Sequence, residues 1–252
     1  MRDAIDLAII GGTGLYRLAE LESPQALSLD TPYGAPSGPL RVGELGGRRV
    51  AFLARHGESH SVAPHRINYR ANIRALADAG ARRILAVNAV GGITEAMGPR
   101  VLALPDQLID YTYGRIASFC DEEGVDVVHV DFGDPYDATL RQKLIASARA
   151  AGVTLVDGGV YGCTQGPRLE TSAEITRMLR DGCDLVGMTG MPEAALAREA
   201  GIPYASLCIV ANWAAGCDPD PHEITMQEVL DNVAGATAEV PALLRELLSR
   251  LD

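Results

Sequence analysis

Short apolar runs recur along the chain, and each ends in glycine or in a polar side chain. Runs of this length with such boundaries are typical of buried β-strands. They predict strands over residues 7–10, 50–54, 84–87, 185–188 and 205–211. Between them the apolar positions follow a helical period, which predicts helices over residues 68–79, 138–151, 172–180, 193–200 and 226–251. The alternation of strands and helices predicts an α/β sandwich.

The predicted strands end in glycine or polar residues throughout the stretch from residue 11 to residue 212, and no repeat or linker interrupts it. One domain over residues 1–252 is therefore the simpler prediction, although this length also suits two small domains. Residues 113–136 form a stretch that is long and acidic for a connection between elements. Such a stretch is either a functional flap or part of an interface.

The composition is that of a globular protein with a sizeable core, since 47% of the residues are hydrophobic and 22% are charged. The net charge of −11 repels phosphate backbones and anionic lipid, so neither nucleic acid nor a membrane is a predicted partner. An anionic small molecule would need a locally basic pocket. Arginines at strand ends are therefore the first residues to consider.

The five cysteines show no spacing that would form a zinc site or a disulfide framework. They are odd in number and are predicted to be reduced packing residues. The N-terminal stretch has acidic residues where a signal peptide has a cationic start, and no apolar run approaches the length of a membrane span. The sequence therefore predicts a cytoplasmic protein.

Three predicted strands end in groups that suit an oxyanion. Thr13 lies in a glycine-rich turn, where converging backbone N–H groups and a hydroxyl can hold an anion. Arg55 and His56 follow the next strand, and a guanidinium fork matches a tetrahedral oxyanion. The small residues 88–92 allow a ligand close to the backbone. Each feature also has an ordinary explanation, namely a tight turn, a surface ion pair and a second turn.

Three later segments carry polar groups with similar alternatives. Glu170 lies in the rigid segment 165–171. It is either a ligand-binding group or a helix N-terminal residue stabilised by the macrodipole. Thr189 follows a strand and precedes a helix that starts with proline. Its hydroxyl either donates a hydrogen bond to phosphate or caps the helix. Asn212 ends an apolar strand and can equally satisfy a turn. The local sequence leaves these alternatives open.

Seven motifs, taken in order, resemble the trimeric purine nucleoside phosphorylase and 5′-methylthioadenosine phosphorylase family. They are IIGGTG, LARHG, HRINYRANI, NAVGG, QGPRLET, GMTGMPEAALAREAGIPYA and VANW, and the match spans residues 7 to about 230. Each motif is loose alone, but their shared order and spacing are specific. The resemblance implies a single three-layer α/β/α domain around a mixed, partly barrel-like sheet. It also implies a homotrimer with active sites near the subunit contacts.

The resemblance implies a role for each candidate residue. The phosphate site would be lined by Thr13, Arg55, His56, Ala89 and Thr189. The contribution of Ala89 would be its backbone N–H. The nucleoside would be contacted by Leu169, Glu170 and Asn212 at the purine and by Met188 at the ribose. His129 would reach the 5′ pocket of a neighbouring subunit.

The base site departs from the methylthioadenosine branch of the family. That branch typically has an Asp-x-Asp pair after the late strand and a serine after the GPRF segment, where this chain has Asn212-Trp213-Ala214 and Leu169-Glu170-Thr171. Asn212, Glu170 and Asn88 instead resemble the nucleoside phosphorylase branch, which takes 6-oxopurines. Glu170 can accept from purine N1–H, while Asn212 accepts from N7–H and donates to O6. Adenine would leave buried groups mismatched, at a cost of roughly 1–3 kcal/mol each.

The 5′ pocket, in contrast, resembles the methylthio branch. Met226 stands where nucleoside phosphorylases carry a histidine that holds the 5′-hydroxyl, and Val229 is a second candidate contact. A thioether cannot donate a hydrogen bond, so an apolar 5′ pocket beside a 6-oxopurine site implies S-methyl-5′-thioinosine as the substrate. Ordinary burial on an amphipathic helix also explains both residues. General inosine and guanosine phosphorolysis and methylthioadenosine phosphorolysis stay open as alternatives.

The implied reaction is phosphorolysis of the N-glycosidic bond. Phosphate, a co-substrate positioned by Arg55, Thr13 and Thr189, would stabilise the ribosyl cation and attack C1′. Asn212 and Glu170 would be the catalytic residues, with Asn212 stabilising the charge that develops at purine N7. No metal or organic cofactor is implied. A hydrolase of the same fold and a non-catalytic nucleotide-binding module are the competing classes.

Overall fold

A single mixed sheet is the centre of the computed structural model, which describes residues 4–122, 124–220 and 222–252. Its strands are β1 (Leu7–Gly11), β2 (Glu22–Leu27), β3 (Leu40–Leu45), β4 (Arg48–Ala54), β5 (Ile84–Gly92), β6 (Leu102–Leu104), β7 (Gln107–Asp110), β8 (Leu155–Asp157), β9 (Val160–Cys163), β10 (Leu185–Gly187) and β11 (Tyr204–Trp213). The helices are α1 (Tyr69–Asp78), α2 (Ala138–Ala151), α3 (Ser172–Arg180), α4 (Gly190–Glu199), α5 (Met226–Thr237) and α6 (Val240–Ser249).

The strand order brings four parallel strand ends together. The strand order of the sheet is β2-β3-β4-β1-β5-β10-β9-β7. A branch begins at β5, which also pairs with β11; β11 pairs with β6, and β6 pairs with β8. β1 pairs in parallel with both β4 and β5, and β5 pairs in parallel with β11. The carboxyl ends of these four strands therefore meet at one edge. Within the described residues the sheet branches at β5 and does not close into a barrel.

Apolar layers cover both faces of the sheet and confirm the predicted α/β/α arrangement. One layer packs α1 and α4 on the sheet through residues such as Ile73, Leu76 and Leu196. The other packs α2, α5 and α6 through residues such as Leu144 and Leu247, which are 0% exposed. Truncating a fully buried leucine of this kind to alanine costs about 2–5 kcal/mol.

The predicted C-terminal helix is two helices in the structure. α5 ends at Thr237, and α6 begins at Val240 with Pro241 in its first turn. Proline lacks the N–H that a continuous helix needs and suits the start of a new one, which explains the break. Strands β6–β9 were not predicted because they have only three or four residues, and β2 was not predicted because it is exposed along nearly its whole length. β3 was not predicted because its buried residues alternate with partly exposed ones and form no apolar run. The stretch 113–136 is a loop throughout its described residues.

No helix in the described part of the chain is long and apolar enough to cross a bilayer. The five cysteines are free thiols, and Cys163, Cys183 and Cys208 are buried. Burial raises the pKa of Cys163 and Cys208 to about 12, so both are packing residues at neutral pH.

Candidate active site

A cavity of about 500 Å³ opens where the carboxyl ends of β1, β4, β5 and β11 meet. This edge is the usual ligand position in open α/β sheets, because the connections diverge to either side of it. The cavity wall contains all of the predicted site residues except Asn88 and His129, namely Thr13, Arg55, His56, Ala89, Leu169, Glu170, Met188, Thr189, Asn212, Met226 and Val229. Residues that are far apart in the sequence thus converge on one site.

The middle of β5 lies against the cavity. β1 pairs with β5 only as far as Val87, and β10 pairs with it from Gly91 onward. One edge of residues 88–90 therefore has no strand beside it in the described structure, while β11 covers the other edge. Backbone polar groups on such an edge need other partners. Ala89 lies in this gap, which is the position that a backbone N–H donor to a ligand requires.

The turn after β1 brings the backbone close to its neighbours. A Cβ on Gly12 would lie 2.9 Å from Arg55 Nη1. Gly14 has a φ of +82°, and a Cβ there would lie 2.4 Å from Val233 Cγ1. Both positions therefore require glycine. Thr13 between them lines the cavity, so the turn presents a hydroxyl beside the guanidinium of Arg55.

Arg55 is fully buried in an ion pair with Glu193. Its Nε donates to Glu193 Oε2 at 2.7 Å and its Nη2 donates to Glu193 Oε1 at 2.9 Å. The Tyr204 hydroxyl donates to the same carboxylate at 2.9 Å. Burial acts to lower the pKa of Arg55, but the Glu193 carboxylate outweighs it and keeps the guanidinium charged. The guanidinium fork that we expected to face phosphate therefore faces Glu193.

One N–H of Arg55 is left for an anion. Nη2 makes its second contact with the Ile10 carbonyl at 3.5 Å, and Nη1 donates to the Val87 carbonyl at 3.2 Å. A guanidinium has five N–H groups, so one N–H on Nη1 has no partner among the described residues. Nη1 is also the nitrogen that lies closest to the Gly12 backbone. The side chain is 0% exposed, so we expect at most one charge-assisted hydrogen bond from Arg55 to an oxyanion rather than two.

His56 reaches the cavity as an uncharged ring. Its Nδ1 donates to the Val62 carbonyl at 2.8 Å, so Nε2 keeps its lone pair. Burial, followed by the charge of Arg55, lowers the pKa of His56 to about 4. At neutral pH the ring can accept a hydrogen bond from a protonated phosphate oxygen, but it adds no positive charge. The pocket is therefore less basic than its Arg-His sequence predicts.

Asn88 lies behind the cavity wall rather than in it. Its Nδ2 donates to Ser206 Oγ at 2.7 Å, and its Oδ1 accepts from Thr189 Oγ1 at 3.0 Å. Both ends of the amide are used in this way, so Asn88 orients Thr189 from behind the wall. Its direct contact with the substrate stays a prediction. Donation from Thr189 to phosphate requires the hydroxyl to rotate away from Asn88.

Glu170 also lines the cavity, and its carboxylate accepts a hydrogen bond from a neighbouring side chain. Thr164 Oγ1 donates to Glu170 Oε1 at 2.5 Å. Burial raises the pKa of Glu170, and the Thr164 bond opposes that rise. The capping carboxylate of α3 is Glu174, which forms a reciprocal box with Thr171. Glu170 directly precedes the N-cap residue Thr171 and is not the capping carboxylate, so stabilisation by the helix dipole and contact with a ligand are both compatible with its position.

Asn212 reaches the cavity at a bulge in β11. The register with β5 shifts between Val210 and Asn212, so Ala211 is an extra residue. Bulges re-aim side chains, and here both Ala211 and Asn212 line the cavity. Asn212 Nδ2 donates to the Trp213 carbonyl at 2.7 Å, and Oδ1 has no partner among the described residues. This orientation presents an acceptor oxygen to the site.

Apolar side chains surround the mouth of the cavity. Met226 begins α5, one turn before Val229, and Leu169 approaches from the other side. Met226 is 64% exposed and Leu169 is 51% exposed. Exposed apolar side chains at the rim of a site are typical of a surface that a partner or ligand covers.

The stretch 113–136 does not cover the cavity of its own chain, since none of its described residues lines the wall. His129 within it is exposed, and Val127 and Val128 beside it are 71% and 58% exposed. Arg115 anchors the start of the stretch by donating to the Gln165 carbonyl at 2.8 Å. The role of His129 in a neighbouring subunit stays a prediction.

Glu193, the carboxylate that pairs with Arg55, was not among the site residues predicted from the sequence. The available signal was physical, because an arginine at a buried strand end needs a carboxylate partner. Glu193 follows a strand end and a proline, and is 0% exposed. Nothing in the local sequence distinguishes it from an ordinary first-turn helix residue.

The fold and the cavity define a small-molecule enzyme of the α/β class, whose site combines groups suited to an oxyanion with a carboxylate and an amide. Residues 6–249 match the family model described as Phosphorylase superfamily. The chain belongs to this superfamily.

Relatives match over nearly the whole chain. A probable S-methyl-5'-thioinosine phosphorylase of Xanthomonas campestris pv. campestris is 67% identical over 245 residues, covering 97% of this chain and 98% of that protein. A probable 6-oxopurine nucleoside phosphorylase of Thermococcus kodakarensis is 45% identical over 247 residues, covering 96% and 91%. Among solved structures, a methylthioadenosine phosphorylase from an Antarctic soil metagenomic library superimposes with a TM-score of 0.90 at 36% identity, covering 98% of this chain and 86% of that chain.

Proposed function

We propose that the protein cleaves S-methyl-5′-thioinosine with inorganic phosphate, giving hypoxanthine and 5-methylthioribose-1-phosphate. The observation that carries the proposal is the combination of Asn212, Glu170 and the exposed Met226 in the wall of one cavity. The first two residues suit a 6-oxopurine, and the third suits an apolar 5′ group. The 67% identity to a protein named for this activity supports the same substrate.

The base end explains why a 6-oxopurine is preferred to adenine. Ionised Glu170 accepts from N1–H, and the Oδ1 of Asn212 accepts from N7–H as the purine departs. Adenine has a lone pair at N1, which would face the Glu170 carboxylate. A buried mismatch of this kind costs about 1–3 kcal/mol, and more when one group is charged.

At the other end of the cavity, phosphate supplies the nucleophile. The C1′–N9 bond breaks with its electron pair going to the purine, and a phosphate oxygen forms the new bond to C1′. The purine takes up one proton at N7 from solvent, and the hydrogen phosphate releases one proton to solvent as it becomes the sugar phosphate, so the step balances. Thr13, Thr189 and the backbone at Ala89 hold the anion, with one N–H from Arg55, so the rate gain comes from positioning. Asn212 stabilises the leaving purine at N7, a contact that strengthens toward the transition state. The reaction needs no metal or organic cofactor.

The 5′ end distinguishes this function from general inosine and guanosine phosphorolysis. Met226 and Val229 offer carbon and sulfur surface but no donor for a 5′-hydroxyl. The exposure of Met226 favours the alternative, because a wet pocket would accept a hydroxyl without penalty. A preference for the methylthio group over the 5′-hydroxyl therefore requires that another surface cover the mouth of the cavity and exclude water.

A homotrimer would provide that cover. The stretch 113–136 exposes Tyr113, Ile116, Val127 and Val128, and the rim of the cavity exposes Met226. In the proposed assembly this stretch packs on a neighbouring subunit and brings His129 toward its 5′ pocket. The free thiols fit a reducing cytoplasm, where the reaction would serve purine salvage.

Phosphate dependence of base release tests the proposal. Hypoxanthine should form from S-methyl-5′-thioinosine only when phosphate is present, together with one equivalent of the sugar phosphate. Equal release in phosphate-free buffer would mean a hydrolase. Binding of the nucleoside without any release would mean a non-catalytic binding module. Asn212→Ala, which keeps the phosphate end intact, is the control for contaminating activity.

A further inference from the structure

The bulge that presents Asn212 is held in place by a side chain of α5. Asn232 Nδ2 donates to the carbonyl of Ala211, the extra residue of the bulge, at 2.8 Å. Arg100 Nε donates to Asn232 Oδ1 at 3.0 Å and so fixes which way the amide faces. A bulge leaves the backbone groups of its extra residue without ladder partners. The Asn232 amide provides the partner that the sheet cannot.

Arg100 also holds the bulge through its own backbone. Its N–H donates to the Val210 carbonyl at 2.7 Å, one residue before Ala211. Arg100 has a φ of +70°, in the left-handed region that residues other than glycine seldom adopt. Its side chain runs beside α5, since a Cβ on Gly235 would lie 3.7 Å from Arg100 Nε. Two consecutive carbonyls of the bulge are thus held from outside the cavity.

We propose that Asn232 is a positioning residue for departure of the purine. It does not line the cavity, so it acts on the substrate only through the bulge and Asn212. When its donor is removed, the Ala211 carbonyl loses its partner and the Oδ1 of Asn212 moves from the place where N7–H forms. A misplacement of about 1 Å can cost on the order of 100-fold in rate. This inference rests on the proposed function.

A substrate that needs no help at N7 separates this role from a general structural one. In 7-methylinosine the purine carries a positive charge before the bond breaks, and it leaves as a neutral base. It gains nothing from an acceptor at N7. Loss of the contact between Asn212 and N7 therefore lowers the rate of cleavage of S-methyl-5′-thioinosine and inosine but not that of 7-methylinosine. A general loss of structure lowers the rate on all three substrates.

The experiment compares kcat and KM of the full-length enzyme on inosine, S-methyl-5′-thioinosine and 7-methylinosine. Asn232→Asp keeps an acceptor for Arg100 and loses the donor to Ala211. We expect its kcat on the first two substrates to fall about 10- to 100-fold, with the KM for phosphate unchanged and the rate on 7-methylinosine nearly retained. Gln227→Ala is the matched control, because it removes an exposed hydrogen bond to Asp231 on the same helix. It should leave all rates unchanged.

The same measurements give the results that overturn the inference. An equal loss on all three substrates would make Asn232 a merely structural residue, and an unchanged kcat would remove its role altogether. If Asn232→Asp does not fold, Arg100→Met provides the second test, since it frees the Asn232 amide without placing a charge at the bulge. It should show a smaller loss with the same substrate pattern. Wild-type enzyme that lacks phosphate-dependent release would refute the proposed function instead.

Discussion

Replacing Arg55 with methionine removes one half of a fully buried ion pair. Both side chains are 0% exposed, so Glu193 would be left buried without its cation, and the Tyr204 hydroxyl would be its one remaining side-chain donor among the described residues. Breaking a buried pair from one side costs about 3–5 kcal/mol. For a chain of this length 1 kcal/mol corresponds to about 2–4 °C in Tm, so Arg55→Met should unfold roughly 6–20 °C below the wild type.

The double variant Arg55→Met, Glu193→Gln separates folding from phosphate binding. The glutamine in this variant is uncharged, so no unpaired charge is left buried, and it keeps an acceptor for Tyr204. Most of the lost Tm should therefore return. The KM for phosphate should stay about 10- to 100-fold above wild type, because a hydrogen bond from a charged donor contributes about 1.5–3 kcal/mol. The KM for the nucleoside should change little.

Two assays measure these effects: thermal unfolding without phosphate, and initial rates of base release at varied phosphate with saturating nucleoside. Arg41→Met is the control, because Arg41 pairs with Glu58 at 2.6 Å where both side chains are substantially exposed. It should change neither Tm nor KM appreciably. A double variant with the wild-type KM for phosphate would refute the contact between Arg55 and phosphate. A single variant as stable as wild type would refute the structural role of the pair.

Three further predictions concern the nucleoside. Asn212→Asp should lower activity on 6-oxopurine nucleosides and raise relative activity on adenine nucleosides, because a carboxylate accepts from the 6-amino group but cannot donate to O6; an unchanged activity ratio would contradict this. Because burial raises the pKa of Glu170 and only its ionised form accepts from N1–H, kcat/KM on inosine should fall as the pH drops through that pKa. At saturating phosphate, the kcat/KM of Glu170→Gln should not show this fall at low pH. If the fall remains in the variant, it is caused by a group other than Glu170. The kcat/KM of S-methyl-5′-thioinosine should be about 10- to 1,000-fold higher than that of inosine. Met226→His should reduce this ratio, because it supplies a donor for the 5′-hydroxyl. Equal kcat/KM values in the wild type would mean that water fills the 5′ pocket.

Much of the site could be predicted because it lies at strand ends. An apolar run that stops at a glycine or a polar residue marks the carboxyl end of a buried strand, and parallel strands gather those ends at one edge. Thr13, Arg55, Ala89 and Asn212 were found in this way, and all four line the cavity. The helical period of the apolar positions gave α2 and α3 with their observed limits.

The partners of these residues could not be predicted, because they depend on contacts between distant parts of the chain. Glu193 is 138 positions from Arg55, and only the folded sheet brings the two together. The bulge at Ala211 has no sequence signal, since Val210 to Asn212 reads as a continuing strand. The bond between Asn88 and Ser206, which lies on β11, is similarly remote in the sequence.

A competition assay tests the central claim most directly. The enzyme is given equal concentrations of S-methyl-5′-thioinosine, inosine and S-methyl-5′-thioadenosine with excess phosphate, and the three nucleosides are followed in one reaction, so that their relative rates give the ratios of kcat/KM. We predict that S-methyl-5′-thioinosine disappears first, that inosine follows at least about 10-fold more slowly, and that the adenine nucleoside is the poorest substrate. Faster consumption of the adenine nucleoside would contradict the roles of Asn212 and Glu170. Equal consumption of the two 6-oxopurine nucleosides would contradict an apolar 5′ pocket at Met226.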